Sequence, residues 1–498
     1  MEVLSFVLYF LLMLGIGVYF FFKGKGKEES EKDYFLGGRK MGPWVTAMSA
    51  QASDMSAWLL MGLPGSILAF GLGQAWIGIG LAIGTSLNWM FVAKRLRCFS
   101  KAAGDSITLP QYLSNRFASK SHVLQVVSAV IFLVCFTVYV ASGFVAGASV
   151  FNELFPSLGE SRAMLIFAFI IIAYTFLGGF NAVCWTDFFQ GLLMLVALLA
   201  VPIMVVLTQN PDTSLLANTI VGSDGTQYTF VANFFNASWQ DIVSGLAWGL
   251  GYCGMPHILV RFMSIEKPSM IKKSATVAII WVMISLACTI LLAYYGRMLI
   301  GEELLVDGNQ KLVFVRLARK LFHPFVAGIL LAAIIAASMS TADSQLLVAS
   351  SSFTSDIYKP VIRKNASEKE ILWVGRIVVL AVSVIAYFIA SSKGSGAQAI
   401  MEMVENAWAG FGGSFGPVVV LSLFWKRMTY KGACAGVVFG ALTDVLWLIK
   451  FKPATGIYEI LPAFVVGFIA AVVVSLCDKK PSAEVLDIYA KATSADCD

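Results

Sequence analysis

The chain has 498 residues, 58% of them hydrophobic and only 13% charged, with a mean hydropathy of +0.78; a soluble protein of this length would carry about twice that charge. Its apolar runs are continuous over about 20 residues, which excludes a β-barrel of alternating strands and predicts an all-α polytopic membrane protein. The net charge of +6 fits inner loops rich in Lys and Arg rather than a nucleic-acid partner.

Hydropathy gives about thirteen spans, near 3–22, 44–72, 75–93, 123–151, 163–180, 185–208, 241–262, 275–297, 325–354, 371–391, 398–424, 432–450 and 459–477. The first run is too long for a signal-peptide core and is followed directly by Lys23, Lys25 and Lys27, so it reads as a retained helix with its N-terminus outside. Alternation then places about three quarters of the 36 Lys and Arg residues on the inner side, as the positive-inside rule requires, and puts the C-terminus inside. The external loop 209–240 contains no Lys or Arg.

The second span holds Ala52-Ser-Asp-Met-Ser-Ala-Trp-Leu-Leu-Met-Gly-Leu-Pro-Gly65. An Asp near a helix centre costs roughly 2.5–3.5 kcal/mol on insertion scales, so Asp54 is expected to face protein or a wet cavity. Two readings are open: a Pro-kinked helix, or a helix broken at mid-membrane whose freed backbone meets an ion and a solute. About 190 residues later, Trp248-Gly-Leu-Gly-Tyr-Cys-Gly-Met-Pro-His257 interrupts another apolar span. Two interrupted helices in corresponding positions point to a transporter site between inverted repeats. With five helices per repeat, the divisions are 1–43 (first helix and inner loop), 44–208 (first repeat), 209–240 (external loop), 241–424 (second repeat), 425–477 (two further helices) and 478–498 (tail).

Between residues 302 and 323, Lys311, Arg316, Arg319 and Lys320 alternate with Leu and Val, which reads equally as an amphipathic helix on the outer surface or as a solvated loop helix. The polar tail from Asp478 is expected to be mobile. The eight cysteines are scattered singly with no metal or redox spacing, so no disulfides are expected.

At this point several segments together resemble the sodium/solute symporter family, and within it the proline-carrying branch. They are Tyr34-Phe-Leu-Gly-Gly-Arg-Lys-Met-Gly-Pro43, Ala52 to Gly65, Tyr174-Thr-Phe-Leu-Gly-Gly-Phe-Asn-Ala-Val-Cys-Trp-Thr-Asp187, Trp248 to His257, Ala337-Ser-Met-Ser-Thr341 and Ala407-Trp-Ala-Gly-Phe-Gly-Gly-Ser-Phe-Gly-Pro417. The resemblance implies a LeuT-like core of five plus five helices, with one helix before it and two after. It also implies alternating access and the coupling of Na+ flow to L-proline uptake.

For sodium, the resemblance implies the carbonyls of Ala52, Met55 and Ala337 and the hydroxyls of Ser340 and Thr341. Spacing agrees: Ala337 is three and four residues before the two hydroxyls, so all three share a helix face. Carbonyls and hydroxyls suit a hard cation and leave softer metals without ligands. Ser and Thr also bond back to their own helix or let helices pack closely, and most of the hydroxyls in 338–355 have that ordinary role. Asp54 is expected to supply negative potential for sodium access or to hold the break through its neighbours. Asp187 resembles a family carboxylate on the sodium exit route, and reads equally as an acid favoured at a helix N-terminus. Asp343 departs from the family's small residue there, and either points away or shifts ion affinity.

For the solute, the carried-over positions are Ser56, Trp58, Gly62, Tyr139, Trp248, Tyr252, Pro256 and His257. Aromatic faces suit both a pyrrolidine ring and its ammonium, although most aromatics in such a chain are packing residues. Arg39 is either part of an inner gate or an ordinary positive-inside residue. Same-family carriers of pantothenate, choline, a sugar or an anion would share fold and ion site. An enzyme is not expected: His122, His257 and His323 lie apart, with no nucleophile motif beside them. A channel would need a filter-like loop. The expected surroundings are the plasma membrane bilayer, and the expected state is a monomer.

Overall fold

A bilayer offers no water to backbone N–H and C=O groups, so a chain this apolar satisfies them within helices. The computed structural model describes residues 1–24, 30–177, 179–393 and 397–494. Its principal helices are α1 (Glu2–Gly24), α2 (Pro43–Met55), α3 (Gly62–Phe70), α4 (Leu72–Ala102), α5 (Val123–Leu154), α6 (Glu160–Leu177), α7 (Phe180–Thr208), α8 (Trp239–Ala247) and α9 (Pro256–Ser264). They continue with α10 (Ile271–Val306), α11 (Val313–Leu321), α12 (Pro324–Phe353), α13 (Glu368–Lys393), α14 (Ala397–Phe424), α15 (Tyr430–Leu446), α16 (Ile460–Cys477) and α17 (Ala483–Thr493). A two-stranded antiparallel hairpin, β1 (Ile220–Val221) and β2 (Gln227–Tyr228), forms in the external loop.

Among the described residues, nine helices are long and apolar enough to cross a membrane. The second and seventh expected spans are missing from that set because each is broken in its middle. The first and fifth end beside positions outside the described residues. α12 and α14 are the most enclosed of the long helices, which places them at the centre of the bundle.

The first break falls inside the Ala52–Gly65 stretch, at Ser56. α2 stops at Met55, and Ser56 takes φ 38° and ψ −178°, a strained left-handed φ for a residue with a side chain. Ser56 Oγ accepts from the Trp58 N–H, and a single 3₁₀ turn covers Ala57–Leu59. Gly62 and Pro64 then open α3, where a missing N–H costs nothing. The second break is a 3₁₀ segment over Trp248–Cys253, after which Pro256 starts α9 in the same manner.

α4 crosses α8 and the second break backbone to backbone. A Cβ on Gly80 would lie 2.2 Å from the Gly245 carbonyl oxygen, and one on Gly84 2.3 Å from that of Gly249. Small residues permit this approach in membranes. Gly84→Ala is expected to destabilise the fold by about 1–3 kcal/mol through overpacking, read as a lower melting temperature in detergent than for Gly73→Ala, whose nearest neighbour is the Ala237 methyl at 3.2 Å.

Three expectations are corrected. α11 is amphipathic, but its Val313, Phe314, Val315, Leu317 and Ala318 are buried in protein, while Arg319 pairs with Glu2 at 3.0 Å and Glu153 at 2.8 Å. Neighbouring helices, rather than lipid or solvent, take its apolar face. The tail forms α17, capped by Ser482 and docked through Tyr489, which meets Phe99 edge-on at 5.4 Å; its Val485 and Ala492 supply the apolar contacts that bare polarity hid. Cys98 is disulfide-bonded, against the expectation of no disulfides, whereas Cys135, Cys184, Cys253, Cys288, Cys434 and Cys477 are free.

Candidate functional site

The last four carbonyls of any helix lack intrahelical partners, so the end of α2 at Met55 frees the oxygens of residues 52–55. Ser340 Oγ donates to the Ala52 carbonyl at 2.8 Å and lies 3.2 Å from that of Ala337. Thr341 Oγ1 approaches the same Ala52 oxygen at 3.5 Å. Four of the five predicted ion ligands therefore converge between α2 and α12, all of them buried. The fifth, Met55, ends α2 less than one turn further on and lines the adjoining cavity.

Asp54 joins the two breaks. Its Oδ2 accepts from the Tyr252 hydroxyl at 2.7 Å, and its carbonyl accepts from the Tyr139 hydroxyl at 3.4 Å. The Tyr252 bond ties the end of α2 to the second break.

Beside this tie lies a small cavity lined by Asp54, Met55, Trp58, Leu81, Tyr139, Trp248, Tyr252, Val404 and Trp408. Trp58 and Trp248 stack across it, centroids 5.4 Å apart at 26°. All the aromatics here are at most 3% exposed. A larger cavity lies elsewhere, an apolar groove along Leu11, Gly15, Tyr19, Trp185 and Phe189.

Four predicted solute residues thus share one wall: Trp58, Tyr139, Trp248 and Tyr252. The other four are not among its lining residues. Ser56 shapes the break, and Gly62 leaves room for Trp58, whose Cδ1 would lie 2.8 Å from an added Cβ. Pro256 starts α9, and His257 is buried edge-on to Phe136 and Tyr139. Trp408, Leu81 and Val404 were missed. Trp408 sits in a quoted motif, and its Nε1 donates to the Trp248 carbonyl at 2.8 Å; a Trp between two alanines near a helix centre was the available signal.

Inward of the ion ligands is a buried polar cluster. Arg261 donates to Asp187 at 3.2 Å, to Ser49 at 3.1 Å, to the His257 carbonyl at 2.7 Å and to Ser344. Ser49 donates to Asp187 at 2.7 Å. Asp187 stands two turns inside α7, so the helix-terminus reading of it is replaced by a buried ion pair with Arg261. Asp343 is buried beside the same cluster, close enough to interact with Asp187 and Arg261.

Arg39 lies beyond the inner end of α2 with φ 55°. It donates to Asp105 at 2.7 Å, to Ser100 at 3.1 Å, to the Ser106 carbonyl at 2.7 Å and to the Met263 carbonyl. Arg39 therefore clamps the approach to α2 onto the ends of α4 and α9, which is more than a solvated positive charge does. Burial opposes ionisation of Asp105, but Lys32 and Arg39 outweigh it and hold its carboxyl below the usual carboxylate range. The Asp105 arm of the clamp is thus ionised at neutral pH and weakens as the pH falls through that lowered value, while the bonds to Ser100 and the two carbonyls remain.

The profile of the Sodium:solute symporter family matches residues 34–440. The chain belongs to the sodium:solute symporter family. Membership in this family makes it a multi-pass membrane transporter with sodium as the coupling ion. The chain is 44% identical over 470 residues to the sodium/proline symporter of Haemophilus influenzae, covering 93% of this chain and 92% of that protein. It is 43% identical to the sodium/proline symporter of Escherichia coli (92% and 90% covered) and to the high-affinity proline transporter of Bacillus subtilis (92% and 95% covered). Its fold is similar to that of a Na+-coupled sialic acid symporter in a substrate-bound outward-open state, with TM-score 0.76, 19% identity and 97% and 98% coverage. A nucleobase-cation-symport-1 family transporter in a closed conformation shares the fold more distantly, with TM-score 0.51, 14% identity and 93% and 96% coverage.

Proposed function

We propose that this sodium:solute symporter couples the inward flow of Na+ to uptake of L-proline across the plasma membrane by alternating access. The observation that carries the substrate is the identity of 42–44% to proline carriers over more than nine tenths of the chain. The site geometry supports it. Trp58, Tyr139, Trp248 and Tyr252 offer ring faces for the pyrrolidine and its ammonium, and the N-terminal ends of the half-helices α3 and α9 offer N–H groups for its carboxylate.

In this reading Ala52, Met55, Ala337, Ser340 and Thr341 hold sodium. Asp54 couples the two breaks, Asp187 lies on the ion's inward route, and Arg39 closes the inner gate. Ser56, Gly62, Pro256 and His257 shape the solute wall from behind. The architecture is thirteen spans, with repeats at 44–208 and 241–424, the N-terminus outside, the C-terminus inside and a monomer as the working unit. One sodium moving through 100 mV gains about 2.3 kcal/mol, and a tenfold gradient adds about 1.4 kcal/mol. A single ion per proline therefore supports accumulation of several hundredfold, enough to scavenge a nutrient.

The test is radiolabelled proline uptake into proteoliposomes with and without a sodium gradient. Uptake that needs the gradient and resists excess sugar, choline or pantothenate is expected; no proline uptake sinks the substrate assignment. Trp248→Ala is expected to raise the proline concentration for half-maximal uptake about tenfold at saturating sodium, since a desolvated cation–π contact is worth about 1–2 kcal/mol, with the sodium requirement unchanged.

A further inference from the structure

Trp248 is packed among aromatic rings: Trp58 stacks on it at 5.4 Å and 26°, and Tyr458 lies nearly parallel to it at 5.2 Å and 34°. Tyr458 comes from the loop before α16, outside both repeats, and is 1% exposed. Nothing in its sequence surroundings, Thr455-Gly-Ile-Tyr-Glu459, suggests a place beside a solute site.

Its position is fixed from four directions. The Tyr458 N–H donates to Ser244 Oγ at 3.0 Å, one turn before Trp248 on the same element. The Tyr458 hydroxyl donates to the Glu405 carbonyl at 2.8 Å, one turn before Trp408 on α14. The Lys452 ammonium lies 5.4 Å from the Tyr458 ring centroid and pairs with Glu405 at 3.2 Å and Glu459 at 2.9 Å. The preceding residue is pinned as well, since its carbonyl accepts from Trp447 Nε1 at 3.1 Å. Trp408 closes the triangle by donating to the Trp248 carbonyl. Two of the ties, to Ser244 and to Glu405, meet the chain about one turn before the wall residues Trp248 and Trp408.

We propose that Tyr458 is a positioning residue for solute recognition, holding the position and plane of Trp248 in the wall of the cavity. Tyr458 does not line the cavity, so it acts through Trp248 alone. The last two spans thereby help to set substrate affinity, although they hold no ligand of the ion or the solute. This inference rests on the reading of Trp248 as a solute-wall residue.

The test is a double-mutant cycle on the full chain in proteoliposomes with an imposed sodium gradient. Tyr458→Ala and Trp248→Phe are measured singly and together, and proline half-saturation, maximal rate and sodium half-saturation are recorded. Tyr458→Ala is expected to raise proline half-saturation about three- to tenfold, the range of a lost aromatic pair, with maximal rate and sodium half-saturation within twofold. Tyr458→Phe keeps the ring and is expected to stay within about twofold of wild type. The double variant is expected to be no weaker than Trp248→Phe alone, because the two residues act as one unit. Effects that simply multiply, or a fall in maximal rate with unchanged half-saturation, would overturn the proposal. Should Tyr458→Ala fail to reach the membrane, Tyr458→Leu fills the space without a ring face and carries the same cycle. Absence of proline uptake by the wild type overturns the substrate assignment instead, and the cycle is then read with the solute that does drive sodium uptake.

Discussion

Replacing Ser340 by Ala is expected to raise the sodium concentration for half-maximal uptake about ten- to a hundredfold. A hydrogen-bond-like contact to a charged group is worth about 1.5–3 kcal/mol, and every 1.4 kcal/mol is tenfold in affinity. The Ser340 hydroxyl stands between the carbonyls of Ala52 and Ala337, at 2.8 and 3.2 Å, close enough for the three oxygens to share one cation in the proposed site. Thr341 stands further off at 3.5 Å, and Thr341→Ala is expected to cost about tenfold. Membrane abundance should hold in both, since each change removes only a small buried polar group. Sodium titration of initial uptake rates is the measurement. Unchanged half-saturation in both variants would remove this ligand set from the mechanism.

The second large effect is on stability. Arg261 is 1% exposed and its partner Asp187 fully buried. Taking away one member of a buried pair costs about 3–5 kcal/mol, because the other charge is left without compensation, and whole domains are stable by only about 5–15 kcal/mol. Asp343 sharpens the penalty, since Arg261→Ala leaves two carboxylates in one enclosed place. That variant is expected to be nearly absent from membranes, or to melt far below wild type in detergent. Adding Asp187→Asn should recover part of the loss, because the amide carries no charge to strand. Arg261→Lys should fall between, since a point charge cannot bond Asp187, Ser49 and Ser344 at once. A normal melting temperature for Arg261→Ala would contradict the role assigned to the pair.

Much of this arrangement is legible in the residues. Apolar runs locate the long helices, and the Gly- and Pro-containing stretches at 52–65 and 248–257 locate both breaks, the first of them at Ser56. Spacing alone puts Ala337, Ser340 and Thr341 on one face of α12. Residues that matter through a partner far along the chain were not legible. Arg261 reads as one more inner-side cation until Asp187 and Ser49 close around it. Trp408 is one aromatic among many until its indole meets the Trp248 carbonyl. The polarity of 483–493 conceals the few apolar side chains that dock α17.

The glycine crossing of α4 with α8 has a mechanical consequence. Where two backbones touch with no side chains between them, no rotamer change can take up relative sliding. α4 and the outer part of the second broken helix must therefore travel together, as two arms of one lever. The fulcrum falls beyond the crossing, at Gly254 and Met255, where the 3₁₀ segment ends and α9 has not begun. Spin labels on α4 and α8 are expected to keep one separation with sodium, with proline and without either, while labels on α8 and α9 change theirs. A separation between α4 and α8 that shifts with ligand would break the lever.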